Sequence, residues 1–200
     1  MTIILATGNA GKLSEVREIL PKYDFITLKD IGFDRDIEEN GSTYEENALI
    51  KVRAVWDFLD RHDRIIMADD SGLEIDYLNG EPGIHSARYM GYDTPYSVKN
   101  QAIIDALAGV PDEKRGARYV CAIAIKFPDG TESTVRGIYE GKVAYEAKGT
   151  NGFGYDPMFW VPAFGKTDGE LPIEIKNKMS HRAKALRAAD ELIRERKITP

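Results

Sequence analysis

Cysteine is nearly missing from this 200-residue chain, with Cys121 its only one. An internal disulfide is excluded, and so is a thiolate metal cluster. One thiol fits a reducing cytoplasm. No apolar run is long enough to span a bilayer. Residues 1–6 enter a strand-like run with no basic leader, so no signal peptide is expected. Surplus positive charge is also missing: 27 Lys and Arg face 33 Asp and Glu, for a formal net charge of −6. Nucleic-acid binders usually carry a basic face, so neither nucleic acid nor a membrane is the expected partner. A small anionic ligand remains compatible, because a local group of lysines can hold it inside an acidic protein. The three histidines stand apart from one another, and no Ser-His-Asp triad or His-rich zinc site forms around them.

Hydrophobic content of 42% with 30% charged residues suits an ordinary soluble globular protein of one domain or two small lobes. The chain is organised around Met67-Ala68-Asp69-Asp70-Ser71-Gly72-Leu73. An apolar strand ends there in two adjacent carboxylates. Neighbouring strand residues face opposite sides, so Asp69 and Asp70 share one task only if the strand has broken into a turn. Two readings stand open. The acids hold a hard cation such as magnesium, which takes oxygen ligands, or they form an Asx turn with Gly72.

Upstream, Thr7-Gly8-Asn9-Ala10-Gly11-Lys12 lies between a strand and a helix. Backbone N–H groups at such a helix start cradle phosphates, though the same pattern also makes an ordinary turn. Residues 30–41 read as an acidic loop, and a capping box of Ser42 with Glu45 opens a long helix. Asn47 and Lys51 share one face of that helix. Downstream, a strand is expected over residues 73–78 and a helix from Thr94-Pro95, with Val98, Ala102, Ile103, Ala106 and Leu107 buried. A hairpin turns at Pro128-Asp129-Gly130. In Gly149-Thr150-Asn151-Gly152-Phe153-Gly154-Tyr155-Asp156-Pro157 the aromatics offer faces for a base to stack on, or else fill a tight hairpin's core. Ser180 precedes a last helix with His181 and Arg182 in its first turn, where cations oppose the helix dipole unless an anion or carbonyl oxygen is near. Helices, then a long hairpin, then a helix argue for a mixed sheet.

Four pieces, residues 7–12, Ala68-Asp69-Asp70-Ser71-Gly72-Leu73, Gly152-Phe153-Gly154-Tyr155-Asp156-Pro157 and Ser180-His181-Arg182, occur in the order and at about the spacing found in one family. Together with Pro82-Gly83-Ile84-His85-Ser86-Ala87-Arg88, they make the chain resemble the noncanonical purine NTP pyrophosphatases, the inosine/xanthosine triphosphate pyrophosphatases, over almost its whole length. The resemblance implies an α/β fold with a long mixed sheet flanked by helices, two lobes with a central cleft, and a single domain over residues 1–200. It implies a cytoplasmic homodimer that hydrolyses ITP, dITP and XTP to the monophosphate and pyrophosphate with Mg2+. Matched residue by residue, Asp70 is the catalytic acid and a metal ligand, with Glu39, or the adjacent Glu38, as the second. Thr7, Gly8, Asn9, Ala10, Gly11, Lys12, Lys51, Ser71, Phe153, Gly154, Tyr155, Asp156, Lys176, His181 and Arg182 are expected to contact substrate. The run before Lys176 is less acidic than the family's, and Asn151 replaces a frequent glycine, which bears on base preference. A pyrophosphatase for another altered base, and a nucleotide-binding regulator without turnover, are the rival readings.

Overall fold

Thr2-Ile3-Ile4-Leu5 is rich in β-branched residues, a composition that suits a buried parallel strand. It forms β1 (Thr2–Leu5) in a computed structural model that describes residues 1–196. The last four residues of the domain expected over 1–200 lie outside the described residues. There follow α1 (Ala10–Ile19), β2 (Asp24–Thr27), α2 (Tyr44–Phe58), β3 (Ile65–Ile75), β4 (Pro82–Gly83) and α3 (Tyr96–Ala106). Then come β5 (Gly116–Lys126), β6 (Glu132–Val143), β7 (Phe159–Val161), β8 (Lys166–Thr167), α4 (Ile173–Met179) and α5 (His181–Glu195). The strands pair in the order β2-β1-β3-β5-β6-β7-β8, with β4 on β3. Pairing is parallel for β1 with β2 and β3, and antiparallel for β4 on β3, β7 on β6 and β8 on β7. The sheet is therefore mixed, as the order of elements implied.

The described residues divide into two compact units. The first contains Met1–Asp70, Cys121–Gly137 and the described residues from His181 on. Ile65 and Met67 of β3 pack with Val16 of α1, its C-cap Leu20, and Ala185 and Leu186 of α5. Ile66 and Ala68 pack with Ala48, Val52 and Val55 of α2. Alternate β3 residues thus feed two different helix layers, as the strand's period of two requires. The second unit contains Ser71–Val120 and Ile138–Ser180. Its core gathers Leu73 and Ile75, Ile103 and Ile104 of α3, its C-cap Leu107, Tyr119, Tyr139 and Phe159.

Several local expectations shift. β3 does not end at the acidic pair. It runs through Asp69-Asp70-Ser71-Gly72 to Ile75, so there is no Asx turn and no separate strand over 73–78. Leu73 and Ile75 are fully buried, so apolar alternation carries the strand onward. The cap of α2 is Thr43, whose hydroxyl accepts from Glu46 N, while Ser42 N and Oγ both reach the Glu46 carboxylate. Thr94 closes the preceding turn on Met90 O, and Pro95 rather than Thr94 is the N-cap of α3. The buried face of α3 holds Lys99 and Asn100, whereas Val98 is exposed. A seven-residue helix, α4, carries Lys176.

Candidate active site

β1 leads into Thr7, whose hydroxyl accepts from Asn9 N at 3.2 Å. Asn9 is the N-cap of α1 and takes the Lys12 N–H on its side-chain oxygen at 3.1 Å. Ala10, Gly11 and Lys12 therefore stand in the helix's first turn, with Gly8, Asn9 and Ala10 exposed to solvent. Positive helix-end charge and accessible backbone suit this helix start to an anion. Lys12 Nζ lies 3.0 Å from Asp69 Oδ2.

Because β3 stays regular through the acidic pair, the two carboxylates face opposite sides. Asp69, like Ile65 and Met67, turns toward α1 and α5. It meets Lys12, Arg182 Nη2 at 3.3 Å and the Cys121 thiol at 4.0 Å. Arg182 is also paired with Glu15 of α1. Asp70, like Ile66 and Ala68, turns toward α2. Asn47 Nδ2 donates to its Oδ2 at 3.0 Å, and Lys51 Nζ stands 3.8 Å from its Oδ1. Lys51 also bonds Glu39 Oε2 at 2.9 Å. Glu39 is half-buried and Glu38 exposed, so the acidic loop presents Glu39 to Lys51.

The two faces give their acids opposite proton affinities. Burial alone raises Asp69's pKa, but the cations Lys12, Arg182 and Lys51 outweigh it and hold the carboxyl well below the usual range. For Asp70, burial wins over Lys51, Lys12 and the Asn47 hydrogen bond, and its proton affinity rises. Burial disfavours the Lys51 ammonium, yet Asp70, Asp69 and Glu39 more than compensate, so its pKa is raised. Cys121 is pushed up to about 12 by burial and by Asp69, which makes it inert.

In the second unit, Gly152 and Gly154 flank Phe153 with φ of 73° and 68°, a left-handed backbone open mainly to glycine. Phe153 N donates to Asp156 Oδ2 at 2.8 Å, and Lys176 Nζ reaches the same oxygen at 2.6 Å. Lys176 Nζ also lies 5.0 Å from the Phe153 ring centre. Asp156 further accepts from Tyr119 OH at 3.1 Å. It is 2% exposed, so it braces the loop from within. Tyr155 is buried, and its hydroxyl donates to Ser86 O at 2.8 Å. Ser71 is half-buried on β3 beyond Asp70. His181 and Arg182 are buried in the first turn of α5.

The structure thus gathers Lys12, Glu39, Lys51, Asp70 and Arg182 around the acidic pair, and Phe153, Gly154, Tyr155, Asp156 and Lys176 into a separate cluster. Sequence reasoning missed Glu15, Cys121, Tyr119, Ser86, Lys99 and Asn100. Glu15 stands three residues after Lys12 on one helix face, a spacing that was legible. Lys99 and Asn100 precede Ile103 and Ile104 by four residues each and extend their buried stripe, but polar type hid them.

Among the described residues, no group of three or more His, Cys, Asp or Glu side chains could hold a metal ion. Asp70 and Glu39 joined through Lys51 suit the smaller demand of magnesium, which takes one or two carboxylates and completes its shell with water and substrate phosphates.

A helix start and two lysines beside a proton-avid carboxylate give this α/β protein a site whose charges suit a small anion. Comparison with known sequences is more specific. The Ham1 family profile matches residues 3–192. Similar proteins include the dITP/XTP pyrophosphatase of Bacillus subtilis, 45% identical over 95% of this chain and 96% of that protein. Another is the dITP/XTP pyrophosphatase of Exiguobacterium sibiricum, 43% identical over 94% of each. Among solved structures, the Staphylococcus aureus Ham1 protein has a TM-score of 0.87 at 37% identity, covering 98% of this chain and 100% of that one. This chain belongs to the Ham1 family.

Proposed function

We propose that this protein hydrolyses the deaminated purine nucleoside triphosphates ITP, dITP and XTP to the monophosphate and pyrophosphate, with Mg2+. The observation that carries the reading is Asp70: a buried carboxylate of raised proton affinity, held by Asn47 and set beside Lys51 and Glu39. The dITP/XTP pyrophosphatases named above, similar over nearly the full chain, support the substrate class.

The roles follow from chemistry. Thr7, Gly8, Asn9, Ala10, Gly11 and Lys12 hold the phosphates at the start of α1, and Lys51 adds a second positive charge. Phosphoryl transfer depends on positioning and charge stabilisation more than on covalent chemistry. Asp70 takes the proton from the attacking water, a task its raised affinity suits. Asp70 and Glu39 would hold magnesium, which when bound supplies charge neutralisation and a more acidic water. Phe153 offers its face to the base, supported by Gly154, Tyr155, Asp156 and Lys176, and Ser71 lies beside Asp70 in sequence to contact substrate. His181 and Arg182 donate toward the 6-keto oxygen, with Arg182 pre-oriented by Asp69 and Glu15. ATP carries an amino group there and leaves a donor unpaired, at a cost of about 1–3 kcal/mol. A homodimer in the cytoplasm belongs to the same proposal, and light scattering on the purified protein tests its size.

The experiment is pyrophosphate release from ITP, XTP, dITP, GTP, ATP and dTTP, with and without Mg2+. Release from ITP, dITP and XTP that is lost on chelation is expected. Release chiefly from dTTP discards the base assignment and keeps the chemistry. Tight binding without release discards the enzyme.

A further inference from the structure

Lys99 and Asn100 are adjacent on α3 and are only 1% and 3% exposed. Neighbouring helix residues point about 100° apart, and these two reach different loops. Lys99 Nζ donates to Ala87 O at 2.8 Å, and Asn100 Nδ2 donates to Gly154 O at 3.2 Å. The loops are also tied to each other, because Tyr155 OH donates to Ser86 O. Ser86 Oγ in turn accepts from Leu73 N at 2.8 Å, three residues beyond Asp70 on β3. Tyr96, one turn before Asn100, sets its ring edge-on to Tyr155 at 5.1 Å.

The loop at residues 152–156 needs such external support. With left-handed glycines on both sides of Phe153, its backbone has little conformational preference of its own. Asp156 holds the Phe153 N–H from one side, and Asn100 holds the Gly154 carbonyl from the other. Among the described residues Asn100 Oδ1 has no hydrogen-bond partner, so the bond to Gly154 O is what the amide contributes. Lys99 meets a carbonyl oxygen and the Tyr96 ring, 4.9 Å from its centre, with no carboxylate within ion-pair reach among the described residues. A buried ammonium with neutral partners lowers stability, and its return is the loop geometry it fixes.

We propose that Lys99 and Asn100 form a positioning bracket that sets the base-reading loop, residues 152–156, relative to the 83–88 segment, and so governs base affinity rather than turnover. The proposal rests on the function argued above, since it assigns that loop to the base. Asn100→Leu is nearly isosteric and removes the donor facing Gly154 O. Its KM for ITP rises about two- to tenfold, the span of one neutral hydrogen bond. Its kcat stays within about twofold, as expected where uniform binding is lost. The inhibition constant of inorganic tripolyphosphate, which has no base, does not change. Amide exchange read by mass spectrometry speeds up in residues 152–156 and not across α1 or α2.

A KM that does not move, a tripolyphosphate constant that moves with it, or exchange that rises throughout the molecule overturns the bracket. Should Asn100→Leu not fold, Lys99→Met keeps the aliphatic stem and frees Ala87 O. The same KM rise and local exchange are expected, and a Lys99→Met protein indistinguishable from wild type overturns the proposal. Wild type that releases no pyrophosphate from ITP refutes the function alone, because the exchange comparison still decides the bracket.

Discussion

Asp69 and Asp70 are neighbours on β3 whose carboxylates face opposite sides of the strand, one 3.0 Å from Lys12 Nζ and the other 3.0 Å from Asn47 Nδ2. Their substitutions should therefore change stability in opposite directions. Asp69's folded pKa lies below its unfolded value of about 3.9. Its stabilisation is complete above that value and drains away as pH falls. Asp70's folded pKa lies above the unfolded value. Its favourable contribution exists only below the unfolded pKa and is lost as pH rises through the folded one. Asp69→Asn leaves Lys12 and Arg182 poorly paired and should cost about 3 kcal/mol, as breaking a buried ion pair does. Asp70→Asn should raise Tm at pH 7 and cut turnover by about 10²–10⁴-fold. Thermal melts at pH 7 with pyrophosphate release check both. A variant at Asp70 with turnover within tenfold of wild type sinks the assigned role.

How much of this was legible depended on which physical signal each element carried. The strand, glycine loop and helix at the N-terminus follow from an apolar run, two glycines and helical spacing, all local. The path of β3 through the acidic pair did not follow. Two carboxylates and a glycine argue for a turn, and the partners that let each acid stay in the strand come from α1, α5 and α2. The buried face of α3 was legible at Ile103 and Leu107 but not at Lys99 and Asn100, for a similar reason. Lys99 and Asn100 break the apolar stripe in type while keeping its spacing, and their receiving carbonyls, Ala87 and Gly154, lie in other segments. Thr43 replaced Ser42 as the cap of α2 because both cap types were present one residue apart and local sequence alone does not rank them.

Magnesium dependence should track Glu39. Its carboxylate is tied to Lys51, which also stands beside Asp70, so Glu39→Gln removes one of the two oxygen donors proposed for magnesium and leaves the fold intact. Losing a direct carboxylate should weaken magnesium at least as much as losing an outer-shell partner, about 10–100-fold. The measurement is turnover of ITP against Mg2+ concentration. Glu38→Gln serves as the control and should leave the curve unmoved, since Glu38 is exposed. Equal curves for both variants and wild type would remove Glu39 from the metal site.

Cys121 lies buried against Asp69, and its thiol is pushed up to about 12. At pH 8 that leaves a thiolate fraction of about 10⁻⁴, and the thiolate is the reactive form. The folded protein should resist alkylating reagents at pH 8 and react fully in denaturant. Quantitative labelling of the native state within minutes would show that the β5 thiol is reached by solvent far more often than its burial allows.

Gly137 is the residue on β6 over which α5 begins. A Cβ there would collide with the His181 carbonyl oxygen and lie 2.6 Å from Ala185 N. These are backbone atoms, so neither contact can be relieved by turning a side chain. Gly137→Ala should therefore push the first turn of α5 away from β6 and carry Arg182 away from Asp69 and Glu15. Overpacking of this kind costs about 1–3 kcal/mol, measurable as a lower urea midpoint with an unchanged slope. Gly8→Ala is the comparison, because nothing lies within 4 Å of a Cβ at Gly8. If Gly137→Ala matched Gly8→Ala in stability, α5 would have to move freely over β6, and the rigid placement of Arg182 argued here would fail.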